Sequence, residues 1–216
     1  MTDSQDQRDK RREYGSKPLR RINLFENPFE QFGQWLEDAE AAGAIDATAM
    51  TLATVDSQGM PSARTVLMKH FDEQGFCWYT HYLSQKGMEL AENTKACLLF
   101  YWRDISRQVS IRGTVTKLPD SDSDHYFQSR PEGSRFSAAG SRQSSEVSSR
   151  GVLETAVDTL RKKHPSGDVP RPKNWGGYCL SPISLEFWQG RDDRLHDRFR
   201  YQLESSGHWV INRLAP

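Results

Sequence analysis

Near the C-terminus the run RLHDR sets Arg194, His196 and Arg198 two residues apart. On a strand those positions share one face. Two guanidiniums and an imidazole there repel one another unless something anionic or electron-rich lies against them, although a solvated edge strand carries the same pattern. A second set is Tyr126, Arg130 and Ser134. Tyr126 and Arg130 are four apart on one helical face, Pro131 ends that helix, and Ser134 lies just beyond it. A phenol, a guanidinium and a hydroxyl meeting at a helix end can hold a phosphate, with arginine as bidentate donor; an ordinary solvated face has the same spacing. In ARTVLMK, Arg64 and Lys69 interrupt an apolar strand, where unpaired cations are expensive. Their parity is opposite, so they serve two anions, flank a bulge, or sit at solvated strand ends. Ser84-Gln85-Lys86 and Gln143-Ser144-Ser145 each open a predicted helix, and such N-termini suit phosphate as well as simple capping. Trp175 and Trp188 read as core residues.

Several classes are disfavoured. There is no GxGxxG, P-loop, G-x-S-x-G or His/Cys metal cluster, so no metal site is expected. Lys+Arg and Asp+Glu are both 29, which argues against a dedicated nucleic-acid binder. A mean hydropathy of −0.78 and the lack of a long apolar run argue against a membrane helix. The charged N-terminus has no apolar h-region and is too acidic for a typical transit peptide. Cys77, Cys97 and Cys179 sit singly in apolar stretches and read as buried thiols in a reducing, cytoplasmic compartment.

The elements that would position these residues follow from periodicity. Residues 1–26 are charged and apolar-poor, and read as a mobile arm; 27–216 reads as one domain. Asn27-Pro28 starts a helix carrying Phe29, Phe32, Trp35, Leu36 and Ala39, closed by Gly43. Strands are predicted over 50–56, 61–71, 76–82, 96–102 and 107–118, with a short helix over 85–93. A helix begins at Asp120 or Ser121 and ends at Pro131, 133–144 reads as a functional or disordered loop, and a helix covers about 145–163. Three strands follow: 177–189, 194–202 and 208–212. Short turns between successive strands favour antiparallel pairing, hence a mainly β (α+β) antiparallel barrel with helical decoration.

The run 175–202, WGGYCLSPISLEFWQGRDDRLHDRFRYQ, with the terminal RLAP at 213–216, resembles the C-terminal signature of pyridoxine/pyridoxamine 5′-phosphate oxidases. RREY (11–14), RTVLMK (64–69), Tyr79-Thr80, RQV (107–109), YFQSRPEGS (126–134) and RQSS (142–145) extend the likeness in the family's order. The resemblance implies an FMN-binding split β-barrel, a homodimer with each flavin at the subunit interface. It implies oxidation of pyridoxine 5′-phosphate or pyridoxamine 5′-phosphate by O2 to pyridoxal 5′-phosphate and H2O2. It assigns FMN to Arg64, Thr65, Val66, Leu67, Met68, Lys69, Tyr79, Thr80, Gln85, Lys86, Gln108, Gln143, Ser144, Trp175 and Arg198. Substrate falls to Lys69, Tyr126, Arg130, Ser134, Arg194, Leu195 and His196, with Arg11, Arg12, Glu13 and Tyr14 folding over it as a lid. Arg194 and His196 are the expected catalytic pair. Gln85 stands where many members carry arginine, removing one charge from the FMN phosphate site. The rival expectations are a split-barrel flavoprotein with another substrate, such as a flavin reductase or haem-handling protein, and a non-catalytic pyridoxal phosphate binder.

Overall fold

The structure is a computed structural model that describes residues 17–216. Its helices are α1 (Pro28–Ala41), α2 (Gln85–Glu92), α3 (Asp120–Ser129), α4 (Glu132–Gly140) and α5 (Arg150–Lys163). Its strands are β1 (Ala49–Val55), β2 (Pro61–Leu67), β3 (His70–Asp72), β4 (Gly75–His81), β5 (Lys95–Trp102), β6 (Arg107–Lys117), β7 (Trp175–Gln189), β8 (Asp197–Leu203) and β9 (Trp209–Leu214). The chain forms two compact units. A cleft unit comprises Thr48–Leu99 and Ile111–Ile183; a terminal unit comprises the described residues up to Ala47, Phe100–Ser110 and Ser184–Pro216.

In the cleft unit the strand order is β2-β1-β5-β6-β7-β4-β3. The two ends of that order, β2 and β3, are consecutive in the chain and separated only by Met68 and Lys69. Sequence periodicity predicts one strand over 61–71; the structure breaks it there. Met68 N donates to Thr48 O at 3.0 Å, on the β1 side, and Lys69 N donates to Cys77 O at 2.8 Å, on the β4 side. The chain thus changes partners, as barrel closure requires, and the opposite parity of Arg64 and Lys69 is resolved by this irregularity. The β3–β4 turn follows from Asp72, whose Oδ1 accepts from Gln74 N and Gly75 N. Gly75 has φ +148°, and a Cβ there would lie 2.1 Å from Leu180 O, so only glycine fits.

The 133–144 segment, expected as a loop, is largely the helix α4. Its anchor is Phe136, 1% exposed and packed with Phe127, Val169 and Trp175 against Val157 and Leu160 of α5. One aromatic in a run of small polar residues gives little periodicity, which is why the helix is hidden in the sequence. The following helix starts at Arg150 rather than near 145, because residues 143–149 form an irregular connection in which Ser144 takes φ +71°.

In the terminal unit Asn27 caps α1, its Oδ1 accepting from Phe29 N at 2.8 Å, with Pro28 in the first turn. The apolar face of α1 packs Phe32 against Phe100 and Trp35 against Phe187, which in turn meets Tyr201. Each such ring contributes roughly 1.5–3 kcal/mol by burial. The end of the charged arm is anchored here: Leu19 and Leu24 are buried, Leu19 N donates to Asp197, and Tyr201 OH donates to Phe25 O. β8 pairs with β7 and β9. No helix among the described residues is long and apolar enough to cross a membrane.

Candidate active site

A cleft of about 1000 Å³ opens in the cleft unit. β2 lines it with Arg64, Thr65, Val66 and Leu67; β4 gives Tyr79 and Thr80; the first turn of α2 gives Gln85 and Lys86; the α4–α5 connection gives Gln143 and Ser144. The same cleft receives Lys69, Tyr126 of α3, Arg130 at the C-terminus of α3, Ser134 of α4, and Trp175 at the start of β7. The structure therefore brings together Arg64, Lys69, Lys86, Gln143, Ser144 and the Tyr126/Arg130/Ser134 set, which spacing presented as separate candidates, with residues that the resemblance alone had assigned. Ser134 is carried by α4, not by the end of the preceding helix.

Lys86 is buried. Its Nζ donates to Ser84 Oγ at 3.2 Å, Thr80 Oγ1 at 3.4 Å and Gln143 Oε1 at 3.1 Å, all neutral acceptors. Burial, then the Arg64 charge, pushes its ammonium down to about 8. Gln143 and Ser144 do not open a helix as expected; Gln143 instead bridges Lys86 and Thr80, whose hydroxyl donates to its Oε1 at 3.0 Å. Ser84 does cap α2, its Oγ accepting from Gly87 N.

Arg64 is held from below. Its Nη2 lies 3.2 Å from Glu89 Oε2, and its guanidinium also bonds Thr54 Oγ1 and Ser62 Oγ. Glu89, 6% exposed, accepts further from Ser62 at 2.7 Å, from Thr54, and from Gln85 Nε2 at 3.0 Å. Burial pushes the Glu89 carboxyl up, but these hydrogen bonds outweigh it and hold the group below its ordinary value. Sequence reading missed Glu89, Thr54 and Ser62. The available signal was weak: Glu89 falls one turn after Gln85 on α2, and Thr54 opposes Ser62 in the β1–β2 register.

The other set surrounds an aromatic wall. Tyr79 and Tyr126 stack at 3.8 Å, and both lie nearly parallel to Trp175, at 5.8 and 6.2 Å. Trp175 is thus both core and cleft wall. The Arg130 guanidinium sits 4.8 Å over the Trp175 ring, and its buried Nη1 has no hydrogen-bond partner. Burial lowers the Arg130 pKa, and the neighbouring Tyr126 only partly offsets this. A buried donor left open costs about 1–3 kcal/mol, more when charged. An anion in the cleft would remove that cost. Among the described residues, no carboxylate forms an ion pair with Arg130.

The remaining predicted residues lie elsewhere. Met68 is buried and is not part of the cleft lining. Gln108, Arg194, Leu195, His196 and Arg198 belong to the terminal unit. The expected common strand face does not exist there, because β8 begins only at Asp197. Asp193 and Arg194 take φ +55° and +61°, a left-handed pair that breaks the extended run. Arg194 and Leu195 are exposed, while His196 Nδ1 accepts from Arg191 N at 3.0 Å and its ring lies 4.7 Å from Trp188. Burial, then the Arg194 charge, lowers the His196 pKa. Arg198 bonds Glu186 Oε1 and Ala215 O, each at 2.8 Å. Arg11, Arg12, Glu13 and Tyr14 lie outside the described residues.

Residues 36–164 match the family described as "Pyridoxamine 5′-phosphate oxidase", and residues 175–216 match "Pyridoxine 5′-phosphate oxidase C-terminal dimerisation region". The chain is 47% identical over 208 residues to a pyridoxine/pyridoxamine 5′-phosphate oxidase of Trichormus variabilis, covering 96% of this chain and 97% of that one. It is 49% identical over 209 residues to pyridoxine/pyridoxamine 5′-phosphate oxidase 1 of Ralstonia nicotianae, covering 96% and 98%. The crystal structure of PhzG from Burkholderia lata, in complex with tetrahydrophenazine-1-carboxylic acid, superposes with a TM-score of 0.87 at 31% identity, over 93% of this chain and 99% of that one. The fold is the expected antiparallel split barrel, and the chain belongs to the pyridoxamine 5′-phosphate oxidase family.

Proposed function

We propose that the protein is an FMN-dependent oxidase. It converts pyridoxine 5′-phosphate or pyridoxamine 5′-phosphate, with O2, to pyridoxal 5′-phosphate and H2O2, releasing ammonia from the amine. The observation that carries this reading is the buried Arg130 Nη1, without a hydrogen-bond partner among the described residues, in a cleft where the buried Lys86 bonds neutral acceptors. Two cations without carboxylate partners among the described residues fit two phosphate-bearing ligands. FMN and a phosphorylated vitamer bring one phosphate each. Family membership and the near-full-length relatives named for this activity support the same choice.

Bound FMN supplies the two-electron acceptor, which O2 restores. Lys86, Arg64, Thr80, Gln143 and Ser144 would hold its phosphate end, and Tyr79 and Trp175 would flank it. Arg130, Lys69, Tyr126 and Ser134 would anchor the substrate phosphate, fixing the ring for reaction at C4′. Arg194 and His196 would orient the pyridine ring and stabilise charge that develops on it. The lowered pKa of His196 favours its neutral imidazole, whose Nδ1 accepts a backbone N–H. The dimerisation region fits a homodimer whose interface completes the site with Gln108, Arg194, His196 and Arg198.

The test is aerobic turnover of FMN-loaded protein with pyridoxamine 5′-phosphate. Pyridoxal 5′-phosphate and peroxide should accumulate together. Bound FMN with neither product would sink the substrate assignment.

A further inference from the structure

β4 and β7 set Cys77 directly opposite Cys179. Opposed residues in an antiparallel pair alternate between hydrogen-bonded pairs, with Cα atoms about 5.5 Å apart, and non-hydrogen-bonded pairs at about 4.5 Å. Three backbone bonds identify this pair as the close kind. Tyr82 N donates to Asn174 O at 2.6 Å, so the pair 82/174 is hydrogen-bonded, and 77/179 lies five steps away in the alternation. The Cys77 carbonyl accepts from Lys69 N at 2.8 Å, away from β7. Gly177, two residues before Cys179 and so oriented alike, gives its carbonyl to Leu118 N at 2.9 Å, away from β4.

A disulfide requires Cα atoms about 4.4–6.8 Å apart with converging Cβ vectors. A close antiparallel pair meets the distance with no shift of the strands. The proximity of the two thiols couples their titration, raising the Cys77 pKa and lowering that of Cys179. Cys179 is thereby the better nucleophile of the two. Both residues are buried, at 2% and 7% exposure, so only a small oxidant can reach them. Cys97, on β5, lies opposite Ala53.

We propose that Cys77 and Cys179 form a reversible disulfide site oxidised by hydrogen peroxide. The Cys179 sulfur attacks one peroxide oxygen, the O–O bond breaks, and one water leaves with the displaced oxygen, giving a sulfenic acid. The Cys77 sulfur then attacks the Cys179 sulfur, the S–O bond breaks, and a second water leaves. Two thiols lose two electrons and two protons, and one peroxide becomes two waters. A dithiol reductant reverses the change. The bridge would tie together the strands that carry Tyr79, Thr80 and Trp175 into the cleft. It rests on strand register alone, and the proposed oxidase reaction would supply its oxidant in the same unit.

The experiment exposes the full-length protein to millimolar H2O2, blocks free thiols with N-ethylmaleimide after denaturation, and maps tryptic peptides without reductant. The expected product links peptide 70–86 to peptide 174–191, with the loss of two hydrogen atoms, and dithiothreitol restores both as thiols. The Cys97→Ser variant should give the same bridge. Recovery of Cys77 and Cys179 as alkylated thiols, as oxygen adducts, or linked to Cys97 would overturn the proposal. Each outcome is independent of whether the protein oxidises a B6 vitamer.

Discussion

Arg64 and Glu89, on a strand and a helix 25 residues apart in sequence, meet at 3.2 Å and share the hydroxyls of Thr54 and Ser62. The carboxylate fixes the guanidinium and balances its charge, whereas Lys86 has hydrogen bonds to neutral acceptors among the described residues. Glu89→Ala strands a half-buried guanidinium and should destabilise the protein by up to about 3 kcal/mol. Glu89→Gln keeps most of the hydrogen bonds and should cost less. Urea unfolding measures both; equal, negligible losses would mean that the pair contributes nothing.

FMN binding should weaken above pH 8. With the phosphate fully ionised above pH 7, binding favours the protonated Lys86, whose pKa in the free protein is about 8. Affinity is therefore complete below about pH 8 and declines as pH rises through that value. Folding stability from the same group moves the other way. The unfolded lysine keeps its proton to higher pH, so between about 8 and 10.5 this group makes the apo protein more stable as pH rises. Flavin fluorescence titrations across pH test the first, and apo-protein unfolding tests the second.

The Glu89 charge also raises the Lys86 pKa. Glu89→Gln should therefore move the onset of FMN loss to lower pH, in addition to any change in affinity. An unchanged onset would separate Glu89 from Lys86.

Arg130→Ala should raise KM for the phosphorylated substrate roughly 10- to 100-fold, the worth of a charge-assisted hydrogen bond of about 1.5–3 kcal/mol. FMN content should stay near wild type. Arg130→Lys should recover only part of the loss, because lysine lacks the planar fork and its stacking on Trp175. A matching fall in FMN content would place Arg130 with the cofactor.

Arg194→Ala should lower kcat about 100-fold while FMN content is retained. Steady-state kinetics with a flavin assay separate the two. Equal loss of turnover and flavin would make Arg194 structural.

Local signals wrote much of the fold into the sequence. Asn27-Pro28, Ser84 and the Asp72–Gly75 turn act through neighbours within four residues, and the structure has each in place. Spacing also put Tyr126 and Arg130 on one helical face, and both line the cleft with Ser134 of α4. What stayed hidden depends on distant contacts or on backbone exceptions. Lys86 meets Gln143 across 57 residues, and Arg64 meets Glu89 across 25. The break at Met68–Lys69 follows from closing the strand order, and the left-handed Asp193–Arg194 pair overrides an alternation that otherwise reads as strand. Helix α4 depends on burying Phe136 rather than on an apolar stripe.

The central claim is that one cleft holds FMN beside a phosphorylated B6 vitamer and oxidises it. An oxygen-free mixture tests it most directly: pyridoxamine 5′-phosphate is added to the FMN-loaded protein while the flavin band and pyridoxal 5′-phosphate are followed. The predicted result is bleaching of the band with one pyridoxal 5′-phosphate formed per flavin, and recovery of the band on admitting O2. A band that stays unchanged with both pyridoxamine 5′-phosphate and pyridoxine 5′-phosphate, while FMN remains bound, would contradict it.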